Sequence, residues 1–222
     1  MDFIRYILFA QVFVAFFVAG GVFFKSRQLR SLTLSLLIAF VGCHILLFLF
    51  GSGELVNLHP EFKSWFYYEI AFLFGPLVFI HLQCLILNKK RLRAIDALHL
   101  LPILVFWLGY GDVLLMEGNI RSEYINAHFL TRTMFWNYLL AFQMMIYAIS
   151  SSVFLYLNRT VLSTKRFQYA VFLVVAYVCS SILISYLTHF ADGWRDFAWY
   201  YVLLTFLIFG VFISVGVIII DI

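Results

Sequence analysis

The sequence predicts an all-α, polytopic membrane protein: a bundle of seven transmembrane helices, N-terminus outside and C-terminus cytoplasmic. Three observations carry that expectation. The 222 residues are 64% hydrophobic and only 12% charged, with a mean hydropathy of +1.00, against about 45–50% apolar and about 25% charged in a soluble domain. Apolar runs of about 20 residues recur along the chain, the length that crosses a hydrocarbon core of about 30 Å as a helix. Lysines and arginines gather in alternate loops. So little polar surface cannot face water on every side. The runs also lack the apolar–polar alternation of an outer-membrane barrel.

Taken in order, span 1 covers 3–24 and ends in Lys25-Ser26-Arg27-Gln28-Leu29-Arg30. Its apolar stretch is longer than a signal-peptide core and is read as a full span. Span 2 covers 31–50 and is broken by Gly51-Ser52-Gly53. Span 3 covers 64–87, with a kink expected at Gly75-Pro76, because proline removes one backbone donor. The basic loop Asn88-Lys89-Lys90-Arg91-Leu92-Arg93 follows. Span 4 covers 94–110, with Pro102 near its start. The loop 111–131 has room for a short interfacial helix. Spans 5, 6 and 7 cover 132–157, 167–189 and 197–220. Residues 1–222 read as one transmembrane domain without repeats.

Orientation follows from the basic residues. The loops after spans 1, 3 and 5 carry ten lysines and arginines, and the other side carries five. The positive-inside rule then places those three loops in the cytoplasm, in a cell inner membrane with the bilayer as the main partner. Only Asp96 and Asp221 among the acidic residues fall on that side. The net charge of +4 is therefore a topology signal, and no direct nucleic-acid binding by this chain is expected. Cys43, Cys84 and Cys179 lie inside apolar runs without CxxC spacing, so reduced, buried thiols are expected.

Charged and polar groups inside a span are expensive and mark candidate sites. Glu69 lies about six residues into span 3 from its outer end, and His44 lies about as deep in span 2. Asn137, Gln143 and Tyr200, with Gln11, Ser185 and Tyr186, fall in the outer halves of other spans. The expected ligand-binding set is Glu69, His44, Asn137, Gln143 and Tyr200, with Gly75 and Pro76 as a conformational hinge. The bland alternative is that Glu69 and His44 satisfy each other and bind nothing. His59, Glu61, His128, His189 and Asp192 fall on the outer face without metal-ligand spacing. No metal site and no cofactor are expected. His81 and His99 flank the basic loop; His99 is expected to cap span 4 or meet interfacial water.

No HExxH, GxSxG, GxGxxG or P-loop pattern occurs, and span 7 has no lysine for a retinal Schiff base. No catalytic residue is expected. One stretch carries a resemblance. Phe74-Gly75-Pro76-Leu77-Val78-Phe79-Ile80-His81, the basic loop, and Asp96-Ala97-Leu98-His99-Leu100-Leu101-Pro102 resemble the seven-span sensor region of bacterial membrane-embedded AraC-type transcriptional regulators. The motif match covers about 30 residues, and the hydropathy pattern the whole chain. In that family a cytoplasmic helix-turn-helix domain follows span 7, whereas this chain ends at Ile220-Asp221-Ile222. The resemblance implies a sensor half, either part of a longer regulator or acting through a separate partner.

Three function classes fit. The first is a membrane sensor or receptor-like module that answers an envelope or lipid-soluble signal and passes it to a cytoplasmic regulatory output. The second is a non-catalytic membrane subunit that anchors or assembles a partner protein. The third is an integral-membrane enzyme acting on a lipid or isoprenoid, which requires polar residues converging at one depth.

Overall fold

The computed structural model describes residues 3–51, 68–116, 118–190 and 196–204. Every regular element among them is helical. In chain order these are α1 (Phe3–Lys25), α2 (Leu29–Gly51), the four-residue α3 (Tyr68–Ala71) and α4 (Phe74–Leu87). A 3-10 segment (Ala94–Leu100) then runs directly into α5 (Leu101–Leu114). After it come α6 (Gly118–Ala127), a π-helical turn (Phe129–Thr133), α7 (Met134–Leu157) and α8 (Thr164–Phe190). Residues 196–204 are also helical.

Five stretches are long and apolar enough to cross a membrane: Phe3–Lys25, Leu29–Phe50, Ala94–Leu114, Phe129–Leu157 and Thr164–Phe190. Large apolar side chains such as Phe13, Phe17, Leu108 and Phe142 point outward from them. The protein is a multi-pass, membrane-embedded helical protein. α4, the described core of predicted span 3, is a shorter apolar helix of 14 residues. Residues 64–67 of span 3 and 205–220 of span 7 lie outside the described residues. Span 4 extends to Leu114, beyond the expected end at 110, and the loop after it holds the helix α6.

α1 packs on α2 through small residues that let the backbones approach. A Cβ on Gly42 would lie 3.2 Å from Ala15 Cβ, and Ser35 Oγ donates to the Ala19 carbonyl at 2.7 Å. α2, α4, α7 and α8 enclose the core, where Ile38, Phe48, Val78, Leu82, Ala170 and Tyr177 are buried. Cys84 is buried there too. Cys43 is only partly buried and Cys179 is exposed, so the expectation of three buried thiols fails for both. Cys179 shares the outward side of α8 with Val175 and Ile182: an apolar run alone does not say which face of a helix meets lipid.

The two ends of the bundle are built differently. At one end, α4 stops at Asn88, whose left-handed conformation (φ 49°, ψ 42°) turns the chain out of the helix. Lys89 Nζ then donates to Gln83 Oε1 at 2.6 Å and pairs with Asp96 Oδ1 at 2.9 Å. The Arg93 N–H donates to Asp96 Oδ2 at 2.8 Å and caps the 3-10 segment. At the other end, the π-helical turn swings Arg132 onto Asp112, with Nη2–Oδ1 at 2.6 Å and Nη1–Oδ2 at 2.7 Å. Arg132 Nη1 also donates to Tyr124 Oη at 2.7 Å. The pair is open to solvent, with side chains 31% and 56% exposed, so it orders the α6 connection more than it stabilises the fold.

Candidate functional site

The central feature is the break between α3 and α4. In an unbroken helix the N–H of residue 76 would donate to the carbonyl of residue 72. Pro76 has no N–H. The helix turns at Phe72 and Leu73 and restarts at Phe74, which puts Pro76 in a first turn where it costs little. The Leu73 N–H reaches back to the Ile70 carbonyl at 2.9 Å, a tight i−3 closure. Phe72 is 1% exposed, so water cannot satisfy its carbonyl. Gln143 on α7 supplies the donor: its Nε2 lies 2.8 Å from the Phe72 carbonyl oxygen. A side chain 71 positions away replaces the bond that proline deletes.

Gly75 belongs to the same joint. A Cβ there would lie 2.7 Å from Tyr147 Cδ2 on α7 and 2.8 Å from Tyr177 Oη on α8. Only glycine lets both tyrosines approach the break. Tyr147 in turn hydrogen-bonds His99 Nδ1 at 2.9 Å. His99 therefore neither caps α5 nor faces only interfacial water. It ties the 3-10 segment to α7.

Two spaces lie among the helices that carry the expected site residues. The first is a closed cavity of about 20 Å³ whose lining includes His44, Asn137, Thr188, Tyr200 and Tyr201. Three expected site residues, His44, Asn137 and Tyr200, thus come together. His44 stacks on Phe40 at 5.7 Å between ring centroids and meets Tyr201 edge-on at 5.3 Å. Asn137 is 5% exposed, and its Oδ1 finds no hydrogen-bond partner among the described residues. The volume suits one water molecule and is too small for an organic ligand. Glu69 lies in α3 by its backbone, and its side chain falls outside the described residues. Of the secondary candidates, Gln11 is buried on α1, Ser185 Oγ donates within its own helix to the Ser181 carbonyl at 2.7 Å, and Tyr186 is exposed.

The second space is a cleft of about 470 Å³ between α4, α5 and α7. Its walls include Phe79, Pro102 and Phe142, with Gln143, Tyr147, His99 and Ser150 as the polar residues. The rim residues Val105, Phe142 and Ile146 are exposed, so the mouth opens on the apolar flank of the bundle. Volume and lining are those of a small-molecule site: mostly apolar, with few polar anchors. Gln143 Oε1 is buried without a hydrogen-bond partner among the described residues. That buried acceptor sits on the same amide whose other end clamps the break.

Below the break, His81 is 2% exposed and joins three helices. Its Nε2 lies 2.7 Å from Tyr169 Oη on α8, and its Nδ1 lies 2.9 Å from Thr33 Oγ1 on α2. Thr33 Oγ1 donates to the Arg30 carbonyl at 3.0 Å. One assignment uses every hydrogen: Tyr169 O–H to Nε2, Nδ1–H to Thr33, and Thr33 O–H to Arg30. It makes His81 the neutral Nδ1–H tautomer.

Among the histidines expected on the outer face, His128 stacks on Tyr124 and His189 Nδ1 meets Tyr138 Oη at 3.1 Å. His59, Glu61 and Asp192 lie outside the described residues. Among the described residues no three His, Cys, Asp or Glu side chains gather as metal ligands. Sequence reasoning missed Phe72, Tyr147, Thr33 and Tyr169. Pro76 pointed to a free carbonyl four residues upstream; nothing local pointed to the partners. Comparison with family models, characterised proteins and solved structures finds no match.

Proposed function

We propose that this protein is a membrane-embedded sensor in which a lipid-soluble molecule enters the α4–α5–α7 cleft and resets the break in the third span. The orientation is the one the basic loops dictate: seven spans in a cell inner membrane, N-terminus outside, C-terminus in the cytoplasm. The output passes from α4 to the basic loops and a cytoplasmic partner. The resemblance to the sensor half of membrane-embedded AraC-type regulators points the same way.

One observation carries this reading. Gln143 forms part of the cleft wall and at the same time holds the Phe72 carbonyl. A ligand that hydrogen-bonds the Gln143 amide competes with, or reinforces, the clamp on the break. It then has different affinities for two arrangements of α4, which is the requirement for any ligand-driven change.

The test uses the full chain in lipid nanodiscs with a diazirine-bearing fatty acid as probe. Photolabelling should concentrate on Val105, Phe142 and Ile146 rather than on the more exposed Phe13 and Phe17 of α1. Spin labels at Leu87 and Leu157, both exposed at the basic end, should change separation when the probe is added. Ser150→Trp, which fills the cleft, should abolish both effects. Labelling spread evenly over α1 and the cleft, with no change in spin-label separation, would defeat the proposal.

A further inference from the structure

Three connections that are far apart in sequence meet at one end of the bundle. They enclose a groove of about 470 Å³ whose lining includes Arg27, Arg30, Lys89, Lys90 and Arg166. Asn88 adds an amide and Leu29 the first residue of α2. Lys89 is neutralised by Asp96. For Arg27, Arg30, Lys90 and Arg166 there is no carboxylate within ion-pair distance among the described residues.

Topology alone explains basic residues at this face, but not where these sit. Lys25 in α1 and Lys89 just past α4 lie at helix C-termini, where the macrodipole welcomes a cation. Arg30 and Arg166 lie in the first turns of α2 and α8, where it does not, and neither first turn carries an acidic residue. Both arginines are half-buried and both reach the same groove. Like charges are thus held together at two positive helix ends, an arrangement an anion would relieve. The Arg30 backbone is also fixed: its carbonyl accepts from Thr33, which His81 and Tyr169 hold in turn. The floor of the groove is preorganised by a buried network rather than hung on a loose loop.

We infer that this groove is a phosphate site, binding the phosphate of an anionic lipid headgroup or of a free phosphorylated solute. Guanidinium forks match phosphate oxygens in pairs, and basic pockets at the cytoplasmic ends of helices suit phospholipid headgroups. The volume admits a diphosphate or a glycerophosphate group. The site is separate from the apolar cleft and does not depend on it.

Full-length protein in phosphatidylcholine nanodiscs, with and without phosphatidylglycerol, distinguishes the two sources. Native mass spectrometry counts retained phosphatidylglycerol, and calorimetric titration with inorganic diphosphate in pure phosphatidylcholine measures the soluble ligand. Retained lipid at one per chain assigns a headgroup; saturable diphosphate binding without anionic lipid assigns a solute. Arg30→Gln/Arg166→Gln should weaken whichever binding occurs by about tenfold or more. The control pair Arg91→Gln/Arg159→Gln removes the same charge outside the groove and should change it less than about twofold. Arg30→Lys/Arg166→Lys keeps the charge without the guanidinium forks, is checked for folding by thermal unfolding, and should weaken binding less than the glutamine pair does. An equal loss in the groove and control pairs, or no saturable binding of either probe, overturns the inference.

Discussion

Replacing Gln143 by leucine keeps the volume and removes the donor to the Phe72 carbonyl. The lost bond is 2.8 Å long and its acceptor is almost fully buried. Stranding such a carbonyl costs about 1–3 kcal/mol in proteins generally, while side-chain hydrogen bonds between membrane helices average about 0.6 kcal/mol and reach about 1.7. We therefore expect Gln143→Leu to destabilise by about 1–2 kcal/mol. The decisive comparison is with Pro76→Ala, which returns the backbone N–H that a continuous helix would aim at the same carbonyl. In that background Phe72 has its own donor and Gln143 is redundant, so Gln143→Leu should cost less than about 0.5 kcal/mol. The coupling of about 1 kcal/mol is read from a double-mutant cycle. Equilibrium unfolding by SDS in mixed micelles, followed by the fluorescence of the five tryptophans, measures all four variants. Equal cost of Gln143→Leu in both backgrounds would refute the clamp. The cycle cancels any packing cost of removing the proline ring.

Gly75→Ala should destabilise by about 1–3 kcal/mol, because its Cβ would stand 2.7 Å from the half-buried Tyr147 ring and 2.8 Å from the hydroxyl of the buried Tyr177. Gly20→Ala is the control: its Cβ would meet nothing within 4 Å, and alanine's helix propensity should stabilise α1 by up to about 1 kcal/mol; the same unfolding assay reads both. Tyr169→Phe should cost about 1–2 kcal/mol by leaving His81 Nε2 buried without a partner. Adding His81→Leu to Tyr169→Phe should cost less than the sum of the two single changes, since no orphaned nitrogen remains. Strict additivity would remove the hydrogen-bond chain from the account.

What was legible in the sequence was what depends on composition and on single residues. Runs of apolar residues showed the helices, because lipid forces every backbone group to bond within its own segment. Pro76 showed the break, because its missing donor is a property of the residue itself. Placement in the outer halves of their spans grouped His44, Asn137 and Tyr200, and they line one cavity. Packing decided the rest. Gln143 was expected to meet a ligand; whether it reaches Phe72 or a ligand depends on the rotation of α7 against α4, which no local pattern encodes. The His81–Tyr169 contact joins residues 88 positions apart. The basic loops were read as three separate signals, and their convergence into one groove follows from three antiparallel helix pairs packing side by side.

Among the described residues, the two halves of the broken span are held by different numbers of buried hydrogen bonds, and this bears on where motion is cheap. Below Pro76, His81 fixes α4 to α2 and α8 through a chain of three hydrogen bonds, and Asn88 and Lys89 anchor its end. Moving that half breaks several buried bonds at once, each worth about 1 kcal/mol and stranding its partners. Among the described residues, the break closes through one side-chain bond, from Gln143, with the Leu73–Ile70 backbone bond and the contact of Gly75 with the Tyr147 ring and the Tyr177 hydroxyl. Tilting α3 against α4 at Phe72–Leu73 therefore costs on the order of one amide–carbonyl bond, about 1–2 kcal/mol. A difference of that size corresponds to about a tenfold preference, which a ligand contacting the Gln143 amide in one arrangement and not the other can supply. A tilt of the lower half would need several such contacts, and the lining of the apolar cleft is polar at four residues, Gln143, Tyr147, His99 and Ser150. On the proposed sensor reading, the ligand-responsive element is the Phe72–Gly75 joint, with His81 as the fixed post against which α4 would turn.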